Sequence, residues 1–250
     1  MKKILAFLLI LALLASLASA MAEGIRYEGN GFDSPEDAAQ AYIEAFSAGN
    51  VQGMLSTFAI ETAVDHLNQR AGAKRAKAFM YTSNQLFPVI DGYSRDLAIA
   101  GRVGELASIL KYQFLTYAWP AEYGEFEQSI VGFKGDDAEA DVDRFYDGFA
   151  DRFGSVEIIG YMTPEELHVE GPYNSAGNQK ALQSMCTSYG CDELVDRAVK
   201  LRIADEEYLQ FIQCARFGDR WYLYSLNGTL AIIAGLSVYT GGLVPLSELF

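Results

Sequence analysis

The sequence predicts an α+β domain in which helices come first and an antiparallel sheet comes last. Three observations carry that prediction. From Ser34 to Phe153 apolar residues recur every three or four positions, the helical spacing. From Ala198 to Leu226 they alternate instead and are separated by short turns, as in strands that bury one face. Half of all residues are apolar (50%), which supplies a core and argues against disorder.

The segment ahead of this pattern differs in character. Met1-Lys2-Lys3 is basic, Ile4 to Leu17 carries no charge, and Ala18-Ser19-Ala20 is a run of small residues. That is the order of a secretory signal peptide, with cleavage after Ala20 or Ala22. The apolar run is shorter than the roughly 20 residues that span a bilayer. Residues 1–22 are therefore expected to be removed, leaving 23–250 as one α+β domain outside the cytoplasm: extracellular, in the cell envelope or periplasmic. Within it about 34–153 is expected to be helical, about 155–227 sheet-rich, and 228–250 an apolar tail.

Glu23 to Phe32 is polar and glycine-rich and reads as a linker. The first helix starts at Ser34, a good cap, followed by Pro35 in the first turn and by Glu36 and Asp37 at its positive end. Ala38, Ala41, Tyr42, Ala45 and Phe46 form its apolar face, and Gly49-Asn50 ends it. A second helix is expected over Val51 to Phe58. Helical spacing continues from Glu61 to Trp119, broken at Pro88 and Asp91-Gly92, with Val103, Leu106, Ile109, Leu110, Phe114 and Tyr117 as a core stripe. Asp136 to Phe153 is rich in aspartate, yet it is no EF-hand. Counting from Asp137, the required glycine and glutamate positions hold Val142 and Gly148. Val142, Phe145, Tyr146, Phe149 and Phe153 make it an amphipathic helix with an acidic, solvated face.

Val156 to Met162 reads as a strand. Thr163-Pro164-Glu165-Glu166 is a capping box that predicts a short helix. Gly171 to Gly177 reads as a loop and Asn178 to Tyr189 as a helix. Strands follow at Ala198–Ile203, Tyr208–Phe217 and Trp221–Leu226, turning at Asp205-Glu206 and Gly218-Asp219. This register places Val199, Leu201, Ile203, Tyr208, Gln210, Ile212, Cys214, Trp221, Leu223 and Ser225 on one face, against the helices. The other face, with Lys200, Arg202, Gln213, Tyr222 and Tyr224, is expected to be half wet. Thr229 to Ser247 carries no charge; interrupted by Gly235, Gly241, Gly242 and Pro245, it reads as a packed tail, with membrane contact as the alternative.

Two stretches resemble a known family. Ser34-Pro35-Glu36-Asp37-Ala38-Ala39, then Tyr42, Ala48-Gly49-Asn50 and Met54-Leu55-Ser56-Thr57-Phe58, are similar to the opening helices of NTF2-like (cystatin-like α+β) domains. Phe217-Gly218-Asp219-Arg220-Trp221-Tyr222-Leu223 resembles their closing hairpin. The resemblance covers about the first 35 residues of the exported chain and its last 70. It implies an exported bacterial domain with N-terminal helices packed on a bent antiparallel sheet, a pocket between them, and a long helical insertion over Glu61 to Phe153. The family includes isomerases, dehydratases and non-catalytic binding modules, so the resemblance does not choose an activity.

Composition narrows the partners. Losing Lys2 and Lys3 and no acid takes the formal net charge from −14 to about −16. Such a surface repels phosphate backbones, which argues against nucleic acid, and leaves a small molecule, a glycan or a protein. Lys74, Arg75 and Lys77 are the basic cluster and read as a solvated helix face. The chemistry of catalysis is sparse. Asp65-His66 is the adjacent acid and imidazole, but neighbours on a helix point apart and cannot form a dyad; His168 reads as a surface residue. No catalytic residue, cofactor or metal site is predicted. Tyr208, Gln210, Cys214 and Ser225 are the candidate ligand-binding residues, on the inner sheet face. Cys186 and Cys191, flanking Gly190, permit a disulfide outside the cytoplasm, with reduced buried thiols as the alternative. The expected function is an exported, non-catalytic binding or interaction module. The alternatives are an NTF2-like pocket enzyme of isomerase, dehydratase or hydrolase type, or an envelope-associated structural protein.

Overall fold

The computed structural model describes residues 26–77, 89–118, 137–140, 142–143, 156–203, 205–236 and 241–249. The expected signal peptide, most of the acidic helix after Asp136, and the break at Pro88 lie outside the described residues.

Helix α1 (Pro35–Ser47) starts as its sequence dictates. The Ser34 hydroxyl accepts the Asp37 amide at 3.0 Å, and Pro35 fills the first turn. Helix α2 (Val51–Ser56) is capped by Asn50, whose side chain accepts the Gly53 amide at 2.9 Å. It stops at Ser56 rather than at Phe58, because Thr57 to Ala59 is drawn against a strand. The Leu223 amide donates to the Thr57 carbonyl, and the Ala59 amide to the Leu223 carbonyl, each at 2.9 Å. Helix α3 (Glu61–His66) has Ile60 at its cap position, with no side-chain acceptor. Glu28 takes that role from a distance: its carboxylate accepts the amides of Ile60 at 2.6 Å and Thr62 at 2.9 Å. The Glu61 carboxylate reaches back to the amides of Tyr27 and Glu28 at 2.9 and 3.1 Å. Helices α4 (Gln69–Ala76), capped by Asn68, and α5 (Gly92–Ala118) complete the helical part.

Strands β1 (Val156–Met162), β2 (Glu193–Ile203), β3 (Glu206–Phe217) and β4 (Arg220–Ser225) form an antiparallel sheet in that order, and β5 (Leu243–Pro245) pairs with β3. The chain is thus α+β, with helices packed on one antiparallel sheet, as its patterning predicts. Helices α6 (Glu170–Tyr173) and α7 (Ala176–Tyr189) link β1 to β2; α8 (Thr229–Ile233) links β4 to β5.

Several local expectations are corrected. The Thr163 capping box forms, with the Thr163 amide on Glu166 at 2.7 Å and the Glu166 amide on Thr163 at 3.2 Å. A turn follows it, not a helix, because His168 takes a left-handed φ of 57°. The short helix α6 lies instead in the segment read as a loop. Strand β2 starts at Glu193 rather than Ala198, and Ile203 pairs with Glu206, so the turn sits one residue earlier than Asp205-Glu206. Cys214 pairs with Leu223, but Gln213 pairs with Ser225. Tyr224 is therefore an extra residue, a β-bulge, and Ser225 leaves the face that holds Cys214.

The main core lies between the sheet and α1, α2 and α5. Tyr42, Phe46 and Met54 from the helices, and Phe58 just after α2, meet Val199, Leu201, Ile212 and Leu223, all fully buried. Burying each of the larger side chains contributes roughly 1.5–3 kcal/mol. The opposite face is wet at one end, where Arg202 is exposed and Lys200 half-buried, but Gln213, Tyr222 and Tyr224 are buried. Two smaller clusters cover the rest: Leu209 and Phe211 under Leu167, Leu230 and Val244, and Ala215, Phe217, Tyr222 and Tyr224 under Ala59 and Ala63. The apolar tail forms part of the first, since β5 pairs Leu243, Val244 and Pro245 with Gln210, Leu209 and Tyr208. Among the described residues no helix is long and apolar enough to cross a membrane.

Candidate functional site

The four candidate ligand-binding residues on the sheet have separate partners among the described residues. Gln210 is fully buried, and its amide is engaged on every side. Its Oε1 accepts from Gln113 Nε2, and its Nε2 donates to the carbonyls of Phe211 at 2.8 Å and Gly241 at 3.1 Å. Gln113, also fully buried, accepts in turn from the Tyr42 hydroxyl. Burial holds the Tyr42 phenol well above its usual range, so it stays a neutral donor. This buried chain from Tyr42 through Gln113 to Gln210 ties α1 and α5 to β3. Cys214 is buried against the Pro35 carbonyl at 3.8 Å. Tyr208, half-buried, donates to Glu206 at 2.8 Å, and Ser225 lies past the bulge.

A pocket of about 480 Å³ opens elsewhere, between the α3–α4 corner and α5. Ala63, Val64, Leu67, Val89 and Ala98 give it apolar walls, and Arg102 and Tyr224 meet in its lining. Helix α5 supplies Arg102, whose guanidinium carbon stands 4.7 Å from the centre of the Tyr224 ring, a cation–π contact. Arg102 also donates to the carbonyls of Ala59 and Tyr224 and pairs with Glu105 at 3.0 Å. On the far side of Tyr224, the Tyr189 ring stacks at 4.1 Å and 22°. Burial raises the hydroxyl pKa of both tyrosines, so neither is an acid at neutral pH.

The acids of this pocket are already matched. Arg95 grips Asp65 with two hydrogen bonds, 2.6 Å from Nε and 2.7 Å from Nη2. The Asp65 carboxylate in turn raises the pKa of the Arg95 guanidinium. Glu105 holds Arg102. His66 sends Nδ1–H to the Thr62 carbonyl at 2.9 Å and lays its ring 5.3 Å from Phe217. As helix geometry required, Asp65 and His66 face different partners. Arg70 also lines the pocket; Lys74 and Arg75 follow it on α4, and no acid lies in sequence between Asp65 and Asp91. Among the described residues no group of three His, Cys, Asp or Glu is placed to hold a metal ion.

Helix α7 backs this site. The Asn68 amide donates to the Ser188 carbonyl at 2.8 Å. Gly190 takes a φ of 73°, and a Cβ there would stand 2.0 Å from the His66 carbonyl oxygen, so only glycine allows the approach. Sequence reading missed this pocket because its walls come from segments far apart in the chain. The legible signals were Arg102 and Glu105 at helical i,i+3 spacing and Tyr222-x-Tyr224 on one face of a strand.

No known protein-family model and no curated protein matches the chain. Among solved structures it is similar to a cystatin-like protein from Ruminococcus gnavus at 10% sequence identity, with a TM-score of 0.42. The match takes in 78% of this chain and 41% of that one, so the chain spans less than half of that protein's length.

Proposed function

We propose that this chain is an exported, non-catalytic binding module of the NTF2-like type, and that its ligand enters the pocket between α3, α4 and α5. The ligand class is a small molecule with an apolar or planar body and a negative charge. One observation carries the reading: an apolar pocket contains the Arg102–Tyr224 pair while its two carboxylates, Asp65 and Glu105, are each held by an arginine. The charged group left to meet a ligand is Arg70, alongside the polar side chains of Asn68 and Gln69, on a protein whose overall charge repels anions elsewhere. The signal-like N-terminus supports export, and the helix-on-sheet order supports the family.

The test uses the anionic aromatic dye 8-anilino-1-naphthalenesulfonate on the folded full-length mature chain. Saturable one-to-one binding is expected, weakened several-fold by Arg70→Ala and by raised salt. Ala98→Trp, which fills the pocket, should abolish it while circular dichroism and Tm stay near wild type. Dye binding unchanged by Ala98→Trp, or absent from the wild type, would refute the reading.

A further inference from the structure

The end of α7 is built as a Schellman motif. Gly190 takes the left-handed position, and the amides of both Gly190 and Cys191 reach the Cys186 carbonyl, the latter at 3.1 Å. In this motif the side chains of the third residue from the helix end and of the residue after the left-handed glycine meet. Here those two residues are Cys186 and Cys191. Their sulfurs are interleaved: Cys186 Sγ lies 2.9 Å from the Cys191 carbonyl oxygen and Cys191 Sγ 3.6 Å from that of Cys186. Both are free thiols in this structure. Cys214 is buried on the other side of the sheet against Pro35.

We propose that Cys186 and Cys191 are a disulfide site, oxidised in the exported protein, and that the bond locks the α7 end behind the pocket. It would fix Tyr189, which stacks on Tyr224, and Gly190, which abuts His66. The proposal does not depend on the ligand reading. The step is a thiol–disulfide exchange with a donor disulfide, either an oxidoreductase's or that of an oxidised small thiol. A thiolate of the pair attacks a donor sulfur and releases one donor thiolate. The second cysteine thiolate then attacks the mixed disulfide and releases the other. The protein dithiol loses two hydrogens, and the donor is reduced to two thiols. Burial pushes both cysteine pKa values above the usual thiol range, which slows attack in the finished fold. The bond therefore forms as α7 closes during folding, and it acts as a brace.

The experiment takes the full mature chain refolded in a mixture of oxidised and reduced glutathione, then unfolds it in an excess of alkylating agent. One alkylated cysteine is expected, mapped to Cys214, rising to three after reduction, with a peptide linking 186 to 191. A Cys214→Ser variant should show none before reduction. Reduction should lower the folding equilibrium constant roughly 30-fold, as closure of this short loop implies. The same loss should be absent from a Cys186→Ala/Cys191→Ala variant. Three alkylated cysteines after refolding, or a linkage through Cys214, would overturn the proposal.

Discussion

Replacing Gln113 by leucine tests the buried chain from Tyr42 to Gln210. Gln113 is fully buried and passes one hydrogen bond from Tyr42 to Gln210. Leucine keeps the volume and removes both contacts. It strands the Tyr42 hydroxyl as a donor and Gln210 Oε1 as an acceptor, two buried polar atoms at about 1–3 kcal/mol each. Some of that is offset by the leucine's own burial, so a net loss of about 2–4 kcal/mol is expected. Tyr42→Phe alone strands only Gln113 Oε1 and should cost about 1–2 kcal/mol. In the double variant the phenylalanine has no hydroxyl to strand, so the losses should fall short of additivity by about 1 kcal/mol or more. Urea unfolding of the four proteins measures the cycle, provided their m-values agree. A Gln113→Leu loss below about 0.5 kcal/mol, or strict additivity, would show that these three side chains are not energetically coupled.

Three further outcomes follow from other contacts. Glu28→Ala leaves the α3 amides of Ile60 and Thr62 without their acceptor and should destabilise by about 2–3 kcal/mol in urea unfolding, with Glu28→Gln milder. Gly242→Ala forces a Cβ to 1.7 Å from the Leu226 carbonyl oxygen at a φ of 77°. It should cost at least about 2 kcal/mol and speed hydrogen exchange at the Phe211 amide, which donates to Gly242. Burial raises the pKa of Asp196, partly offset by donors from Gln213, Tyr173, Thr229 and Leu230. A carboxyl whose folded pKa lies above its unfolded value contributes stability that is full below the unfolded pKa and is lost as pH rises through the folded one. The stability of wild type relative to Asp196→Asn should therefore decline as pH rises from about 4 towards neutrality. A flat or rising difference in unfolding free energy would contradict that burial dominates.

The outline of this fold was legible because each level of the sequence agrees. Ser34-Pro35-Glu36-Asp37 can do little but start a helix, and Gly218-Asp219 sets a tight turn from which the strand pairing follows as far as Leu223. What was not legible depends on distant partners. Nothing local marks Tyr224 as a bulge, so a strict two-residue alternation carried Ser225 to the wrong face. Gln213, Tyr222 and Tyr224 read as part of a wet face because the segments that cover them lie elsewhere in the chain. Gln210 looked like a pocket residue because a polar side chain on an apolar face is ambiguous. Whether it meets ligand or another glutamine is decided by α5, nearly a hundred residues away. The pocket itself joins α3, α5 and β4, and neither Asp65, Arg102 nor Tyr224 announces the other two.

The measurement that bears most directly on the ligand site is chemical-shift mapping of the dye complex on isotopically labelled protein. The largest changes should fall in Ala63 to Arg70, in Ala98 to Glu105 and at Tyr224, with little change at Tyr208, Gln210 and Cys214. Changes centred on those last three residues, or on the open groove between α1 and β1 near Ile43 and Ile158, would place the ligand elsewhere and contradict the account.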